Sequence, residues 1–203
     1  MTWVKVCGIR EPKALEAAIE AGADAIGLNI APESPRCIDL PTTAALAAMS
    51  PMPTFLVSVG LDVEAALAAM DATGVGGIQP HGRHSLDVAA AALDLGKNVL
   101  VPIPVGADGP TVPMSEVPEG AVPLFDTKSV AAHGGTGRTF DWDVIGGIDH
   151  EFVLAGGLGV DNVAEAIRTV RPFGVDASSR LERVPGVKDP DTIRAFVREA
   201  KQA

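Results

Sequence analysis

Short apolar, β-branched runs alternate along the chain with longer alanine-rich segments. The runs predict eight strands, at Trp3–Cys7, Asp24–Ile30, Thr54–Val59, Val75–Gln79, Asn98–Ile103, Ala121–Asp126, Glu151–Ala155 and Phe173–Ala177. They are almost continuously apolar, which is typical of parallel strands covered on both faces. The alanine-rich segments repeat apolar residues at spacings of three and four, so each predicts a helix with one face for the sheet.

The predicted helices lie between these strands. They are Pro12–Ala21, Thr42–Met49, Val63–Ala72, Leu86–Leu95, Asp141–Ile145, Val160–Val170 and Asp191–Gln202. Strand–helix alternation predicts a parallel sheet with right-handed crossovers. Eight strands at this spacing favour an α/β fold, a single (β/α)8 TIM barrel over residues 1–203. The alternative is an open doubly wound sheet, which the strand count and the lack of a glycine fingerprint after the first strand disfavour.

The segment Pro104–Gly120 breaks this alternation. Its prolines and glycines are Pro104, Gly106, Gly109, Pro110, Pro113, Pro118 and Gly120. Such a segment cannot form a regular helix. Barrels of this type usually have about 250 residues, and this chain has 203. We therefore expect the fifth helix to be reduced or missing.

The charge of the chain limits its partners. The formal net charge is -10, which argues against nucleic acid or an anionic membrane as a partner, because both require a positive field. An anionic small molecule would have to be held by local groups such as backbone amides or one or two arginines. With 47% hydrophobic and 21% charged residues, the composition is that of an ordinary globular protein.

Cysteine content and terminal sequence set the expected compartment. Cys7 and Cys37 are the two cysteines, too few for a disulfide framework or a zinc cluster. The start of the sequence has no basic stretch followed by a long apolar one, so we expect no signal peptide. No apolar run approaches the ~20 residues of a membrane span. We expect reduced thiols and a cytoplasmic protein.

Reactive and hydrogen-bonding residues follow the strands at one end only. The strand ends read Cys7-Gly8, Ser34-Pro35-Arg36, Gln79-Pro80-His81-Gly82, Asp126 with Gly134-Gly135-Thr136-Gly137, Ala155-Gly156-Gly157-Leu158, and Ala177-Ser178-Ser179. In a barrel the carboxyl ends of the strands carry the active site. This asymmetry indicates an enzyme.

Two of these loops predict a phosphate site. Gly156-Gly157 follows the seventh strand and Ser178-Ser179 the eighth, where barrels often hold phosphate with loop amides and a helix N-terminus. An amide cradle works even in an acidic protein. The other interpretation is that the glycines only form tight turns.

Taken together, the motifs resemble those of the phosphoribosylanthranilate isomerase family, in order and over essentially the whole chain. They are Val4–Ile9, Gly22–Asp24, Ser34–Arg36, Gln79 with His81-Gly82, Gly134–Gly137 with Phe140–Trp142, Ala155–Leu158 with Asn162-Val163, Gly174–Asp176 with Ser178-Ser179, and Pro185-Gly186 with Lys188-Asp189. Each fragment is weak alone, and their combination is specific.

The resemblance implies a cofactor-free and metal-free Amadori rearrangement of a small anionic substrate, N-(5-phosphoribosyl)anthranilate, in tryptophan biosynthesis. The positions that match the family's general base and general acid are Cys7 and Asp126. Arg36 matches the arginine that holds the anthranilate, and Gly135 falls in a matching substrate-binding loop. His81 either contacts the anthranilate or only structures its loop. A monomer and a homodimer are both compatible with the sequence.

The residue types suit this chemistry. Ring opening needs an acid near the ring oxygen, and proton abstraction needs a base on the other side. A thiol with an ordinary pKa of ~8.5 is only a few per cent ionised at neutral pH, and a carboxyl with a pKa of ~3.9 holds almost no proton there. We expect the site to act on both groups. Lys5 should face the barrel interior one layer below Cys7, and Asp176 on the neighbouring eighth strand is its candidate partner.

Three positions depart from the family pattern: Pro80, Leu61 and Arg180. The first two stand where leucine and asparagine are usual, and we interpret both as structural. Arg180 occupies the place of a glycine after the double serine, in the predicted phosphate cradle. We expect its side chain to fold toward the phosphate. The opposed interpretation is that its Cβ distorts the turn and weakens the cradle.

Two other functions are compatible with a phosphate-binding barrel. One is the related histidine-pathway isomerase of a similar aminoaldose, although that family has an aspartate at the end of the first strand, where this chain has Cys7. The other is a catalytically silent barrel that only binds a phosphate ligand. The presence of both Cys7 and Asp126 argues against a silent barrel, and Arg180 argues for it.

Overall fold

The computed structural model describes residues 1–127 and 142–203. The barrel strands are β1 (Trp3–Cys7), β2 (Ala25–Asn29), β3 (Thr54–Val59), β4 (Gly77–His81), β5 (Asn98–Gly106), β6 (Val122–Thr127), β7 (Val153–Leu154) and β8 (Gly174–Ala177). The α-helices are α1 (Pro12–Ala21), α2 (Leu40–Met49), α3 (Val63–Thr73), α4 (Ser85–Asp94), α5 (Val163–Val170) and α6 (Pro190–Gln202).

The eight strands form a closed parallel ring, which confirms the predicted (β/α)8 barrel. Strand β1 pairs with β2 on one side and with β8 on the other. The ring closes where β4 pairs in parallel with β5. A closed ring has no exposed sheet edge, and it brings residues from opposite ends of the sequence to adjacent positions.

The return segments after β5 and β6 depart from the repeating pattern. After β5 the chain forms a tight hairpin at Gly109–Pro110 and one 3-10 turn at Met114–Glu116, so the expected loss of the fifth helix is confirmed. The predicted sixth helix, Asp141–Ile145, is a 3-10 helix over Trp142–Ile145. Its first residue lies outside the described residues.

Capping explains several shifted helix starts. Asp39 accepts a hydrogen bond from the Thr42 amide, so α2 begins at Leu40 rather than at Thr42. Asp189, not Asp191, caps α6. The side chain of an N-cap residue satisfies amides that have no partner inside the helix. The predicted start of α2 at Thr42 is two residues late, and the predicted start of α6 at Asp191 is one residue late.

Two apolar layers support the barrel. The larger one packs outward-facing strand residues such as Val4, Val6 and Ile26 against the helices. A smaller cluster contains no helix residues. Its members are Ala25, Phe55, Leu100, Leu124 and Val153 on the strands, and Ala155 directly after β7. Because side chains alternate along a strand, this cluster fills the inside of the barrel. In the described part of the chain, no helix combines the length and the apolar character that crossing a membrane requires.

Candidate active site

A cleft at the carboxyl ends of the strands gathers most of the predicted site residues. Those that line it are Cys7, Arg36, His81, Asp126, Gly156, Gly157, Ser178 and Ser179. Gly135, also predicted, lies outside the described residues. Closing the barrel therefore brings together groups that are up to 172 positions apart in the sequence, the separation of Cys7 from Ser179.

Cys7 is the last residue of β1 and is 8% exposed. Its neighbours leave it little room. A Cβ added to Gly27 on β2 would lie 2.8 Å from Cys7 Sγ and 3.2 Å from Lys5 Nζ, so any larger residue there would displace the thiol. On the other side, the Ser178 hydroxyl donates a hydrogen bond to the Cys7 carbonyl oxygen at 3.0 Å. Cys7 therefore lies between β2, which contacts its thiol, and the loop after β8, which binds its carbonyl oxygen.

A buried polar layer lies directly below the thiol. Lys5 is fully buried, and its Nζ donates to Gln79 Oε1 at 2.7 Å and to Asp176 Oδ2 at 3.0 Å. Lys5 and Asp176 are register partners on β1 and β8. The predicted inward position of Lys5 and its pairing with Asp176 are both confirmed.

The charges of this layer act on the ionisation of Cys7. Burial raises the pKa of the Cys7 thiol, and the positive charges of Lys5, Lys188 and Arg36 offset only part of that effect, while Asp176 adds to it. Burial also raises the pKa of Asp176, against the effect of Lys5, and Asp176 Oδ1 has no hydrogen-bond partner among the described residues. Burial lowers the pKa of Lys5, but Asp176 and Cys7 outweigh it and the pKa is raised. Lys5 therefore stays protonated, and its charge favours the thiolate, although burial has the larger effect on Cys7.

Charge changes in this layer should move the thiol pKa in opposite directions. We expect Lys5→Met to raise the pKa of Cys7, because the cation that most favours the thiolate is lost. We expect Asp176→Asn to lower it, because an anion is lost beside a retained lysine. Thiolate absorbance in the ultraviolet, followed against pH, measures this. Subtracting the Cys7→Ala protein in each background removes the contribution of Cys37.

The paired design also separates electrostatics from damage to the fold. If both variants shifted the pKa the same way, loosened packing rather than charge would be the cause. The double variant Lys5→Met/Asp176→Asn, which leaves no unpaired buried charge, should lie between the two single variants.

Arg36 lines the cleft with part of its guanidinium already engaged. Its Nε and Nη2 donate to the two carboxylate oxygens of Glu182 at 2.7 and 2.8 Å. Lys188 Nζ donates to the same carboxylate at 2.8 Å. Burial alone would raise the pKa of Glu182, but the hydrogen bonds from Arg36 and Lys188 outweigh it, so the pKa lies below its ordinary value. Glu182 is therefore an anion.

The loop after β7 turns through two glycines that a side chain holds in place. Gly156 and Gly157 both adopt positive φ, at 86° and 66°, a region that favours glycine. The Asn162 side chain fixes this loop by donating to the Gly157 carbonyl oxygen at 3.1 Å and accepting from the Gly159 amide at 2.8 Å. Leu158, between them, also lines the cleft.

Arg180 lies beside this loop and is not among the residues that line the cleft. Its Nη1 donates to the Gly157 carbonyl oxygen at 3.1 Å, and its Nη2 donates to Asp161 at 2.7 Å. The hydrogen bond from Arg180 lowers the pKa of the Asp161 carboxyl. In this structure the guanidinium therefore braces the loop from outside.

Asp126 and His81 occupy other sectors of the rim. Asp126 is half-buried on β6, in register with Pro104 of β5. His81 ends β4, and its Nε2 lies 3.1 Å from Gln79 Nε2. Gln79 contacts Lys5 as well, so it links the rim to the polar layer beneath.

Sequence analysis missed Asn29 and Val57, which line the cleft, and Glu182, which binds the cleft residue Arg36. Glu182 begins a short antiparallel ribbon, Glu182–Val184 with Val187–Lys188, that follows β8. No strand-end pattern marks it, and its carboxylate reaches the site only because the ribbon folds against Arg36. Within residues 1–127 and 142–203, no group of histidine, cysteine or acidic side chains is arranged to hold a metal ion.

Comparisons with known proteins agree over the full length. A family model described as N-(5'phosphoribosyl)anthranilate (PRA) isomerase matches residues 4–199. The N-(5'-phosphoribosyl)anthranilate isomerase of Pelobacter propionicus is 39% identical, with 100% of this chain and 97% of that protein covered.

Two crystal structures show the same fold. One is of monomers generated from the dimeric phosphoribosylanthranilate isomerase of Thermotoga maritima, with 29% identity, a TM-score of 0.83 and 100% of both chains covered. The other is a phosphoribosyl anthranilate isomerase in complex with reduced 1-(o-carboxyphenylamino)-1-deoxyribulose 5-phosphate, with 28% identity, a TM-score of 0.80 and 100% of both chains covered.

Proposed function

This chain belongs to the N-(5'-phosphoribosyl)anthranilate isomerase family, and we propose that its cleft works with Cys7 as general base and Asp126 as general acid. The protein is an isomerase of tryptophan biosynthesis. It converts N-(5-phosphoribosyl)anthranilate to 1-(2-carboxyphenylamino)-1-deoxyribulose 5-phosphate. The cysteine at the end of β1 and the names of the relatives favour this reaction over the histidine-pathway isomerase and the silent barrel.

The reaction needs one proton delivered and one removed. Asp126 gives a proton to the furanose ring oxygen, the C1–oxygen bond breaks, and the anthranilate nitrogen forms a Schiff base with C1. The Cys7 thiolate then takes the proton from C2, and the electron pair of that bond moves toward the nitrogen to give an enolamine. Tautomerisation of the enolamine to the ketone completes an isomerisation that needs no external oxidant or reductant.

The single observation that carries this assignment is the shared cleft. Cys7 and Asp126 come from β1 and β6, which are separate sectors of the ring, and both side chains line one cavity. Base and acid can thus approach a bound sugar from different directions, as proton transfers at C2 and at the ring oxygen require. Lys5 below Cys7 offsets part of the cost of forming a buried thiolate.

The anionic ends of the substrate fit the two other parts of the cleft. We assign the phosphate to the loops with Gly156, Gly157, Ser178 and Ser179, where Lys188 also binds the Ser178 carbonyl oxygen at 2.9 Å. Arg180 supports this cradle through the Gly157 carbonyl oxygen, and its charge helps attract a phosphate to a protein of net charge -10. Gly135 stays a proposed substrate contact, and so does His81 beside the anthranilate.

We assign the anthranilate carboxylate to Arg36. Arg36→Met should raise KM by roughly ten- to a hundredfold, the equivalent of losing a charge-assisted hydrogen bond of about 1.5–3 kcal/mol. Arg36→Lys should recover only part of this, because an ammonium lacks the planar fork of donors. Steady-state kinetics on both variants measure the effect, with turnover changing less than KM. An unchanged KM in both would place the carboxylate elsewhere.

Two further properties are part of the proposal. We place the enzyme in the cytoplasm, since both cysteines are unpaired in this fold and its pathway is one of soluble intermediates. We also propose that it acts as a monomer or a homodimer, since the related enzyme of Thermotoga maritima is described as dimeric and as monomers generated from the dimer.

A further inference from the structure

One buried carboxylate, that of Glu182, binds both Arg36 and Lys188 beside the cleft. The Glu182 side chain is 3% exposed and accepts four hydrogen bonds, from Arg36 Nε, Arg36 Nη2, Lys188 Nζ and the Gly186 amide. Each of its two oxygens accepts two of these four bonds. Burying a charge is costly unless it is paired and hydrogen-bonded, and Glu182 meets both conditions. Its place and orientation are therefore closely determined.

The contacts of Glu182 determine which donors Arg36 can offer a ligand. A guanidinium has five N–H donors in one plane. Glu182 takes the Nε side of that fork. Among the described residues nothing binds the Nη1 side, and Arg36 lines the cleft. The engaged side locks the plane of the guanidinium, and the other side matches a second carboxylate with two parallel hydrogen bonds.

The charge balance of this cluster points the same way. Two cations, Arg36 and Lys188, surround the one anion Glu182. Burial lowers the pKa of Lys188, and Glu182 offsets only part of that effect. While Cys7 is a neutral thiol, one positive charge is left over in a largely buried setting, and an anionic group of the substrate would neutralise it.

We propose that Glu182 is a positioning residue that sets the affinity of this enzyme for the carboxylate of the anthranilate ring. The proposal rests on the assignment of that carboxylate to Arg36. Glu182 is not among the residues that line the cleft, so it acts through Arg36 rather than on the ligand. It orients the guanidinium in advance, so that binding the carboxylate does not require ordering a long side chain.

A pair of ligands isolates this effect. The first is reduced 1-(o-carboxyphenylamino)-1-deoxyribulose 5-phosphate, and the second is the same compound without the ring carboxyl group. The dissociation constant of the second ligand divided by that of the first is the ratio we use. It reports the contribution of the carboxylate alone, because the two ligands share the phosphate, the sugar chain and the ring. We would measure it by calorimetry on the wild type, Glu182→Gln, Glu182→Asp and Arg36→Met. Glu20→Gln, which removes an exposed carboxylate from its pair with Arg194 on the outer helices, is the matched control.

The ratio should fall about two- to tenfold in Glu182→Gln, the usual cost of ordering one long side chain on binding. Affinity for the ligand without the carboxyl group should change little, which shows in the same protein that the cleft is intact. Glu182→Asp, with a side chain one methylene shorter, should lose a smaller part of the ratio, and it carries the test if Glu182→Gln does not fold. Glu20→Gln should match the wild type.

Three results would overturn the proposal. An equal loss for both ligands would mean that Glu182 only holds the fold of the ribbon. A higher ratio in Glu182→Gln would mean that Glu182 competes with the substrate for Arg36. An unchanged ratio in both Glu182 variants, with a collapsed ratio in Arg36→Met, would leave Arg36 as the ligand and remove Glu182 from its positioning role. An unchanged ratio in Arg36→Met itself would instead contradict the proposed function on which the inference rests.

Discussion

Replacing Cys7 by alanine should lower turnover by at least about a hundredfold, because a general base typically contributes 10²–10⁴ in rate. The loss should appear in kcat more than in KM, since the thiol removes a proton and does not bind an anionic end of the substrate. The fold should survive, because alanine keeps the Cβ of cysteine and removes only the sulfur atom. Turnover above roughly a tenth of the wild-type value would contradict the role of Cys7.

Cys37 provides the matched control for this experiment. It is the other cysteine, half-buried beside α2, and its thiol contacts only the Ile38 carbonyl oxygen, at 3.8 Å, among the hydrogen bonds of the described residues. Cys37→Ala should keep wild-type turnover. Because the pKa of Cys7 is raised by burial, kcat/KM of the wild type should increase with pH as the thiolate forms. That rise should be absent from the residual activity of Cys7→Ala.

Asp126→Asn should produce the second large loss, again about a hundredfold or more. Asparagine has nearly the same shape and can still donate a hydrogen bond, but it cannot give up a proton. The ring oxygen then leaves without an acid, and ring opening becomes the slow step. Single-turnover measurements separate this step from product release.

Asp94→Asn serves as the control, since Asp94 is an exposed carboxylate at the end of α4. It removes the same charge from the protein without touching the cleft. If Asp126→Asn and Asp94→Asn had similar turnover, the acid would have to be another group.

The strands could be predicted because burial on both faces is visible in the local sequence. A strand buried on both faces must be apolar along its length, and β1 and β3 were predicted at the correct residues. Strand β7 was predicted as Glu151–Ala155, and its ladder covers Val153–Leu154. Where a ladder ends depends on the neighbouring strands rather than on the residues of the strand itself.

The site could be predicted in outline because of the barrel geometry. Carboxyl ends of parallel strands meet at one end, and a two-residue alternation places Lys5 below Cys7. Glu182 lacked any such signal. Its role arises from an ion pair with Arg36 across 146 positions, formed when a short ribbon folds over the cleft, and a lone glutamate in a polar stretch is usually an exposed residue. The partners of Arg180 could not be predicted either, since its contacts with Gly157 and Asp161 depend on how the loops pack.

The central claim is that this cleft isomerises phosphoribosylanthranilate by the two named residues. The most direct test is the fluorescence decay of freshly prepared N-(5-phosphoribosyl)anthranilate with the purified protein, with the aminoimidazole substrate of the histidine pathway in parallel. We predict a decay rate proportional to protein concentration, close to background in Cys7→Ala and Asp126→Asn, and no matching turnover of the aminoimidazole substrate. The same decay with and without protein, or wild-type decay in either variant, would contradict the account.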